Sequence, residues 1–268
     1  MISVIMGVYQ AADSLTRAVR SILEGSYQDL EVILVDDGST DGTDKVVDIL
    51  SQDERVRAIH LDANHGLAYC LNRALEEAKG EYIARMDADD YSYPGRLESE
   101  LTYLVEHPEL GFVSAAVRLV DGEVAWGKRV FPPLPNEKDL IKGNPFVHPC
   151  MLFRKEVLDK VGGYRDLPWT WRCEDYDLVL RLWEQGVRGG NLPMVLMDYN
   201  EKQDSYNRHT ERSRRNEYRV RVEAAKALGW GLKGWLFALK PILLSLLPHG
   251  LYNYLHRRKW QSRQKTLA

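Results

Sequence analysis

At 268 residues, with 44% hydrophobic and 28% charged positions, the chain has the size and make-up of one large globular domain, or of one domain plus an extension. Three cysteines, Cys70, Cys150 and Cys173, are too few and too scattered for a disulfide framework or a zinc site, and they suit a reducing compartment. The net charge of −3 conceals an asymmetry: residues 201–268 hold 15 Lys+Arg against 5 Asp+Glu, which leaves 21 against 34 for residues 1–200.

The chain opens on a β-rich run, Ser3–Tyr9, with no basic segment and apolar stretch of a secretory signal before it, so a cytosolic location is expected. Helical spacing follows at Ser14–Leu23. A buried strand is predicted at Glu31–Val35, a helix at Thr43–Leu50, a strand at Val56–Leu61, a helix at Leu67–Lys79 stopped by Gly80, and a strand at Tyr82–Met86. This alternation implies a mostly parallel sheet covered on both faces, which binds its ligands beyond the carboxyl ends of its strands. Tyr9, Asp36-Asp37 and Asp87–Asp90 all fall at such ends.

Further along, Pro94–Glu106 reads as a helix, and Gly111–Val120 with Glu123–Phe131 as a hairpin turning at Asp121-Gly122. A short helix is predicted near Asn136–Lys142, a strand at Pro149–Phe153, helices at Lys155–Val161 and Glu174–Gln185, and a last strand at Val187–Met197. We take residues 1–225 as one domain in two parts, 1–110 and 111–225, followed by a basic amphipathic extension, 226–268. Its apolar run, Trp235–Leu247, holds Lys240 and Pro241 and is shorter than the about 20 residues a membrane span needs. With Arg257-Arg258-Lys259 beyond it, the extension suits an interfacial helix on an anionic leaflet rather than a nucleic-acid contact. Packing on the domain, or on a second copy in a homodimer, is the alternative.

The most informative string is Met86-Asp87-Ala88-Asp89-Asp90. Carboxylates this close repel one another unless a positive charge sits among them. A divalent cation facing a phosphate-bearing substrate explains them; a solvated acidic turn also does. Asp36-Asp37-Gly38-Ser39-Thr40-Asp41 can accept hydrogen bonds from a nucleoside or form a simple Asp-Gly turn. Neither GxGxxG nor GxxxxGK[ST] occurs, so diphosphate neutralisation falls to a metal.

Ile2–Tyr9, Val35–Asp41, Asn64-His-Gly66-Leu-Ala-Tyr-Cys-Leu-Asn72 and Met86–Asp90, in that order, resemble the family 2 inverting glycosyltransferases, which have the GT-A fold: a Rossmann-like nucleotide-binding sheet in an α/β domain. Gly7 and Gln10 stand where members typically have Pro and Asn. The resemblance implies that Tyr9, Asp36 and Asp37 lie at the nucleoside and that Asn64 and Gly66 lie along the nucleotide. It places Arg73 near the diphosphate or Asp87, and makes Asp87 and Asp89 a DXD element for Mn²⁺ or Mg²⁺. Asp90 caps the turn or meets the donor sugar.

Trp171-Arg-Cys-Glu174-Asp175 resembles the family's acidic pair at a helix start, with Asp175 as the base and Glu174 as the runner-up; carboxylates complementing a helix dipole are the alternative. His148 and the rings of Trp169 and Trp171 are acceptor-side candidates or packing residues. Arg208 and His209 belong to a late loop that could close on the diphosphate, His209 as a further metal ligand, or they simply start a helix.

The expected activity is transfer of a sugar, with inversion, from a UDP- or dTDP-sugar to a saccharide hydroxyl. The acceptor would be polyprenyl-diphosphate-linked, in assembly of O-antigen, capsule or exopolysaccharide, at the inner face of the cell membrane. The missing spans argue against a processive synthase. A sugar-nucleotide nucleotidyltransferase would need a cation in Gly7–Asp13, which has none. A non-catalytic nucleotide- or glycan-binding module would not need Asp87, Asp89 and Asp175.

Overall fold

A computed structural model describes residues 1–201 and 210–245. Its N-terminal half follows the predicted alternation. Strands β1 (Ile2–Val8), β2 (Leu30–Asp36), β3 (Val56–His60) and β4 (Tyr82–Arg85) are linked by helices α1 (Leu15–Leu23), α2 (Thr43–Leu50) and α3 (Leu67–Glu77). All three pairings among these strands are parallel, β3-β2-β1-β4 in space. Near-continuous burial along β1 and β2 explains their unbroken apolar runs, because a parallel sheet is covered on both faces. Alternate residues face opposite ways: Ile2, Val4, Met6 and Val8 join one core, while Ile5, Ile33 and Val35 join the other.

The second half is mixed. β5 (Tyr91–Ser92), α4 (Arg96–Glu106), β6 (Leu110–Asp121), β7 (Val124–Arg129), α5 (Glu137–Lys142), β8 (Met151–Arg154), α6 (Lys155–Val161), α7 (Glu174–Glu184) and β9 (Arg188–Asn200) follow in order. β8 enters antiparallel between β4 and β6, and β9 runs parallel to β6, so the sheet continues as β4-β8-β6-β9-β5 with β7 paired to β6. The first four strands are all parallel, and in the second half parallel pairing is confined to β6 and β9, the other pairs being antiparallel.

The last strand is longer than expected, reaching Asn200. Pro193 does not end it, because the register shifts between Ala115 and Ala116 and the partners jump from Leu192 to Val195. This length carries Asn200 back to the acidic turn after β4.

Beyond β9, α8 (Glu211–Ala227) is capped by Thr210, whose side chain accepts from the Ser213 N–H, and α9 (Gly231–Ala238) and α10 (Lys240–Ser245) pack against it. Pro241 divides the apolar run as expected, since a helix interior cannot supply its missing N–H. Trp230 and Ala238 are buried, so the extension begins within the packed body. No described helix is long and apolar enough to cross a membrane. Arg208, His209 and the cations from Arg257 onward lie outside the described residues.

Candidate active site

β1, β2 and β4 end side by side, with Val8 opposite Asp36 and Ile5 opposite Arg85. Tyr9 stands half-exposed at this rim. Asp36 turns inward: Oδ1 accepts from the Ser39 N–H at 3.2 Å and Oδ2 lies 3.4 Å from His60 Nδ1. It walls a cleft of about 390 Å³ with Gly38, Thr40, Asp48 and Asp62. Gly38 sits at φ 66° against the backbone of Ala63, where an added Cβ would come within 2.7 Å, so no other residue fits this turn.

Two expected donor contacts are placed differently. Asp37 uses both carboxylate oxygens on the chain, accepting from the His65 N–H at 2.7 Å and the Gly66 N–H at 2.9 Å. It clamps the Asn64–Gly66 loop, leaving Asn64 exposed and Gly66 at φ 96° to start α3. Arg73 lies on α3 and pairs with Glu76, its neighbour one turn on, rather than with Asp87.

One positive charge beside the three carboxylates belongs to the protein itself. Arg85, the last residue of β4, is 2% exposed and its Nη2 lies 2.5 Å from Asp87 Oδ1. Among the described residues its Nε and Nη1 find no hydrogen-bond partner. Burial works against its charge, but the Asp87 carboxylate holds its pKa above the ordinary arginine value. Arg96, fully buried against Glu100, donates from Nη2 to the Arg85 carbonyl at 2.8 Å and fixes the strand end.

Asp89 and Asp90 meet the far end of β9. The Asn200 side-chain amide donates to Asp89 Oδ2 at 3.1 Å, and the Asn200 N–H donates to Asp90 Oδ1 at 2.8 Å. Asp90 is 2% exposed. Burial first, then the charges of Asp87 and Asp89, push its carboxyl well above the usual range. Its carboxylate ties the acidic turn to the end of β9.

Asp87 and Asp89 remain half-buried at the rim. No group of three or more His, Cys, Asp or Glu among the described residues forms a metal cage. One or two carboxylates at a strand end fit a Mg²⁺ or Mn²⁺ that takes its other oxygens from phosphates and water.

Asp87 and Arg85 share a cavity of about 560 Å³ with Asn144, His148, Asp175 and Tyr199. Asp175 is the second residue of α7. Asn144 Nδ2 donates to Asp175 Oδ2 at 2.8 Å, while Asn144 Oδ1 accepts from the Phe146 N–H at 3.2 Å, which fixes the amide's orientation. Burial raises the Asp175 pKa; the Asn144 hydrogen bond, the Tyr176 N–H and the Arg85 charge oppose it. Glu174 turns back to accept from the Arg172 N–H at 2.8 Å, and burial raises its carboxyl to about 7. It therefore braces the loop at Arg172, a non-glycine residue held at φ 62°.

His148 is buried, its Nε2 lies 2.8 Å from the Tyr164 hydroxyl, and burial with the nearby Arg85 charge keeps it neutral. Trp171 carries two guanidiniums, those of Arg172 and Arg212, each 4.8 Å from its ring centre, and Trp169 carries Arg219 at 3.6 Å. Sugar stacking on either ring competes with these cations. Sequence reasoning missed Arg85, Asn144 and Asn200. Only Arg85 left a signal: a lone arginine in an otherwise apolar strand is rarely buried without a partner.

The fold, with carboxylates gathered at the carboxyl ends of a half-parallel sheet, is the GT-A arrangement of glycosyltransferases. The chain belongs to glycosyl transferase family 2, whose model matches residues 3–162; the model "N-terminal domain of galactosyltransferase" matches residues 144–207. EpsE of Bacillus subtilis (strain 168) is 33% identical over 269 residues, covering 100% of this chain and 97% of that protein. The O-antigen biosynthesis glycosyltransferase WbnJ of Escherichia coli is 32% identical, over 80% of this chain and 83% of its own. A UDP-Gal:alpha-D-GlcNAc-diphosphoundecaprenol beta-1,3-galactosyltransferase of Escherichia coli is 28% identical, over 73% and 72%.

Among solved structures, S. aureus TarS 1–349 in complex with UDP-GlcNAc superposes with a TM-score of 0.71 at 18% identity, over 93% of this chain and 76% of that one. The mannosyltransferase PcManGT from Pyrobaculum calidifontis, in complex with GDP-Man and Mn²⁺, gives 0.66 at 20% identity, over 98% and 84%.

Proposed function

We propose that this glycosyltransferase moves a sugar from a UDP- or dTDP-sugar to a hydroxyl of a lipid-linked saccharide, with inversion, in the assembly of a surface polysaccharide. The observation that carries the reading is that Asp87, on the donor rim, and Asp175, at the start of α7, line one cavity. A donor held at the first and an acceptor hydroxyl at the second would meet inside it. Relatives named for O-antigen biosynthesis and for a diphosphoundecaprenol acceptor support the product and acceptor classes.

In this reading Asp36 receives the nucleoside at the cleft it walls, with Tyr9 beside it, and Asn64 and Gly66 lie along the nucleotide. Asp89 and Asp87 hold Mn²⁺ or Mg²⁺, with His209 a candidate for a further ligand. When bound, that ion supplies charge compensation for a departing diphosphate. Asp175 accepts the proton of the acceptor hydroxyl through the oxygen not bonded to Asn144, and its raised pKa makes it a stronger base than a surface carboxylate. Arg85 holds Asp87 in place and adds fixed positive charge to a water-poor wall. His148 and Trp171 remain on the acceptor side, Arg208 belongs to the late loop that closes on the diphosphate, and residues 226–268 bring the protein to an anionic membrane surface on the cytoplasmic side.

The experiment is a panel of nucleotide sugars incubated with Mn²⁺ and the protein. Release of UDP or dTDP supports the transferase. Release of pyrophosphate points to a nucleotidyltransferase, and no turnover of any donor points to a binding module.

A further inference from the structure

Three cations on α8 each lie over a tryptophan. Arg212 is 4.8 Å from the ring centre of Trp171, Arg219 is 3.6 Å from that of Trp169, and Lys226 is 5.8 Å from that of Trp235. Positions seven apart on a helix lie two turns apart on nearly one line, about 10.5 Å per step, so the row spans about 21 Å. All three cations are exposed, along one edge of the side of α8 that Ser213, Asn216, Val220 and Ala224 bury.

The row joins two features. At its first rung Arg172 also lies over Trp171, and Arg172 lines the Asp175 cavity together with Ser213 and Glu217 of α8. At its last rung α9 and α10 expose Leu232, Trp235, Leu236, Phe237, Leu239 and Leu243, with Leu232 76% accessible. Residues 224–268 hold 8 Lys+Arg and no Asp or Glu.

We propose that this face of α8, α9 and α10 lies on the surface of an anionic phospholipid bilayer, with the mouth of the Asp175 cavity opening at the headgroups. The proposal deepens the membrane contact proposed above by naming the face that makes it. Cations flattened on indole rings suit the interface: the aromatic body sits at headgroup depth while the charge meets phosphate. The exposed leucines and Phe237 would enter only the about 5–10 Å that interfacial helices reach.

Charge argues against the two other occupants at hand. A second copy docking through this same face would present the same cations. Residues 246–268 carry Arg257, Arg258, Lys259, Arg263 and Lys265 and no carboxylate, so they too are repelled. An anionic surface is attracted by all of them, and it would deliver a lipid-linked acceptor beside the base.

The test is co-sedimentation of the full chain with vesicles of phosphatidylcholine alone and of phosphatidylcholine mixed with phosphatidylglycerol. Wild type is expected to bind the mixed vesicles selectively and to leave them as salt rises. The Arg212→Ser/Arg219→Ser/Lys226→Ser variant, checked for an unchanged melting curve, should lose on the order of 10²-fold in vesicle affinity. Leu236→Ser/Leu243→Ser should lose binding as well.

Equal binding to neutral vesicles, or wild-type affinity in the triple variant, overturns the proposal. So does complete loss of binding on removing residues 246–268 while the triple variant binds normally. Conversion of a dimer to monomers by the triple variant would make the face an interface between copies instead. Absence of any donor turnover by wild type would strike the transferase reading, not this one, because vesicle binding needs no substrate.

Discussion

Asn144 donates a 2.8 Å hydrogen bond to Asp175 across 31 residues of sequence, and the loop that carries Asn144 is pinned from two sides. Arg221 of α8 donates to the Ile141 carbonyl at 2.7 Å and the Lys142 carbonyl at 3.1 Å, and the Tyr176 hydroxyl of α7 donates to the Leu140 carbonyl. The amide therefore meets one carboxylate oxygen and leaves the other to the cavity. Asp175→Asn should lower kcat by about 10²–10⁴ while donor Kd stays near wild type, the range for a lost general base. Steady-state kinetics with isothermal titration of the donor decides it, and wild-type kcat would move the base elsewhere.

Asn144→Ala removes a hydrogen bond made to the ionised carboxylate. The Asp175 pKa then rises further, and the acidic limb of the kcat profile moves to higher pH. A shift of about one unit lowers kcat about tenfold below the limb and leaves the alkaline plateau largely intact. A uniform loss at every pH would mean that Asn144 supports the fold and not the base.

Asp89→Ala should make nucleotide affinity the same with and without Mn²⁺. Titrating UDP and dTDP in the presence of Mn²⁺ or of a chelator reads this directly. Retained metal dependence would take the ion away from Asp89.

Arg85 is buried, and among the described residues its Nε and Nη1 find no hydrogen-bond partner, while Asp87 offsets the cost of burying its charge. Its carboxylate partner Asp87 is 30% exposed in its side chain, so removing the arginine does not strand a buried charge. Arg85→Met should leave the melting temperature unchanged or raised, while turnover falls about 10²-fold. A clear loss of stability with normal turnover in the surviving fraction would make Arg85 structural.

Glu174 carries a pH signature in stability. Its carboxyl titrates at about 7 when folded against 4.5 when free. Between those values the folded state keeps a proton that the unfolded state has lost, so stability falls as pH rises through this window. Calorimetry should show the melting temperature falling between about pH 5 and about pH 7 in wild type, and falling less in Glu174→Gln. Parallel curves would remove the assignment.

How much of this was legible beforehand differs by element. The four parallel strands and their helices follow from apolar periodicity and stop signals, because each is settled within its own ten or so residues. The same local patterns put Tyr9, Asp36 and Asp87–Asp90 at strand ends, and parallel pairing brings the ends of parallel strands to one rim. That was enough to name a family, and it was the resemblance of residues 171–175 to that family that singled out Asp175.

What only the tertiary structure decided is which partner each charged group meets. Asp37 faces the His65 and Gly66 backbone N–H groups, 28 and 29 residues further along. Asn144 reaches Asp175, and Asn200 reaches Asp89 and Asp90 across 111 and 110 residues. A side chain's type and spacing fix what it can donate or accept. The direction it points, and the neighbour that packing places within hydrogen-bonding distance, depend on contacts between segments far apart in the chain, and no local pattern encodes them.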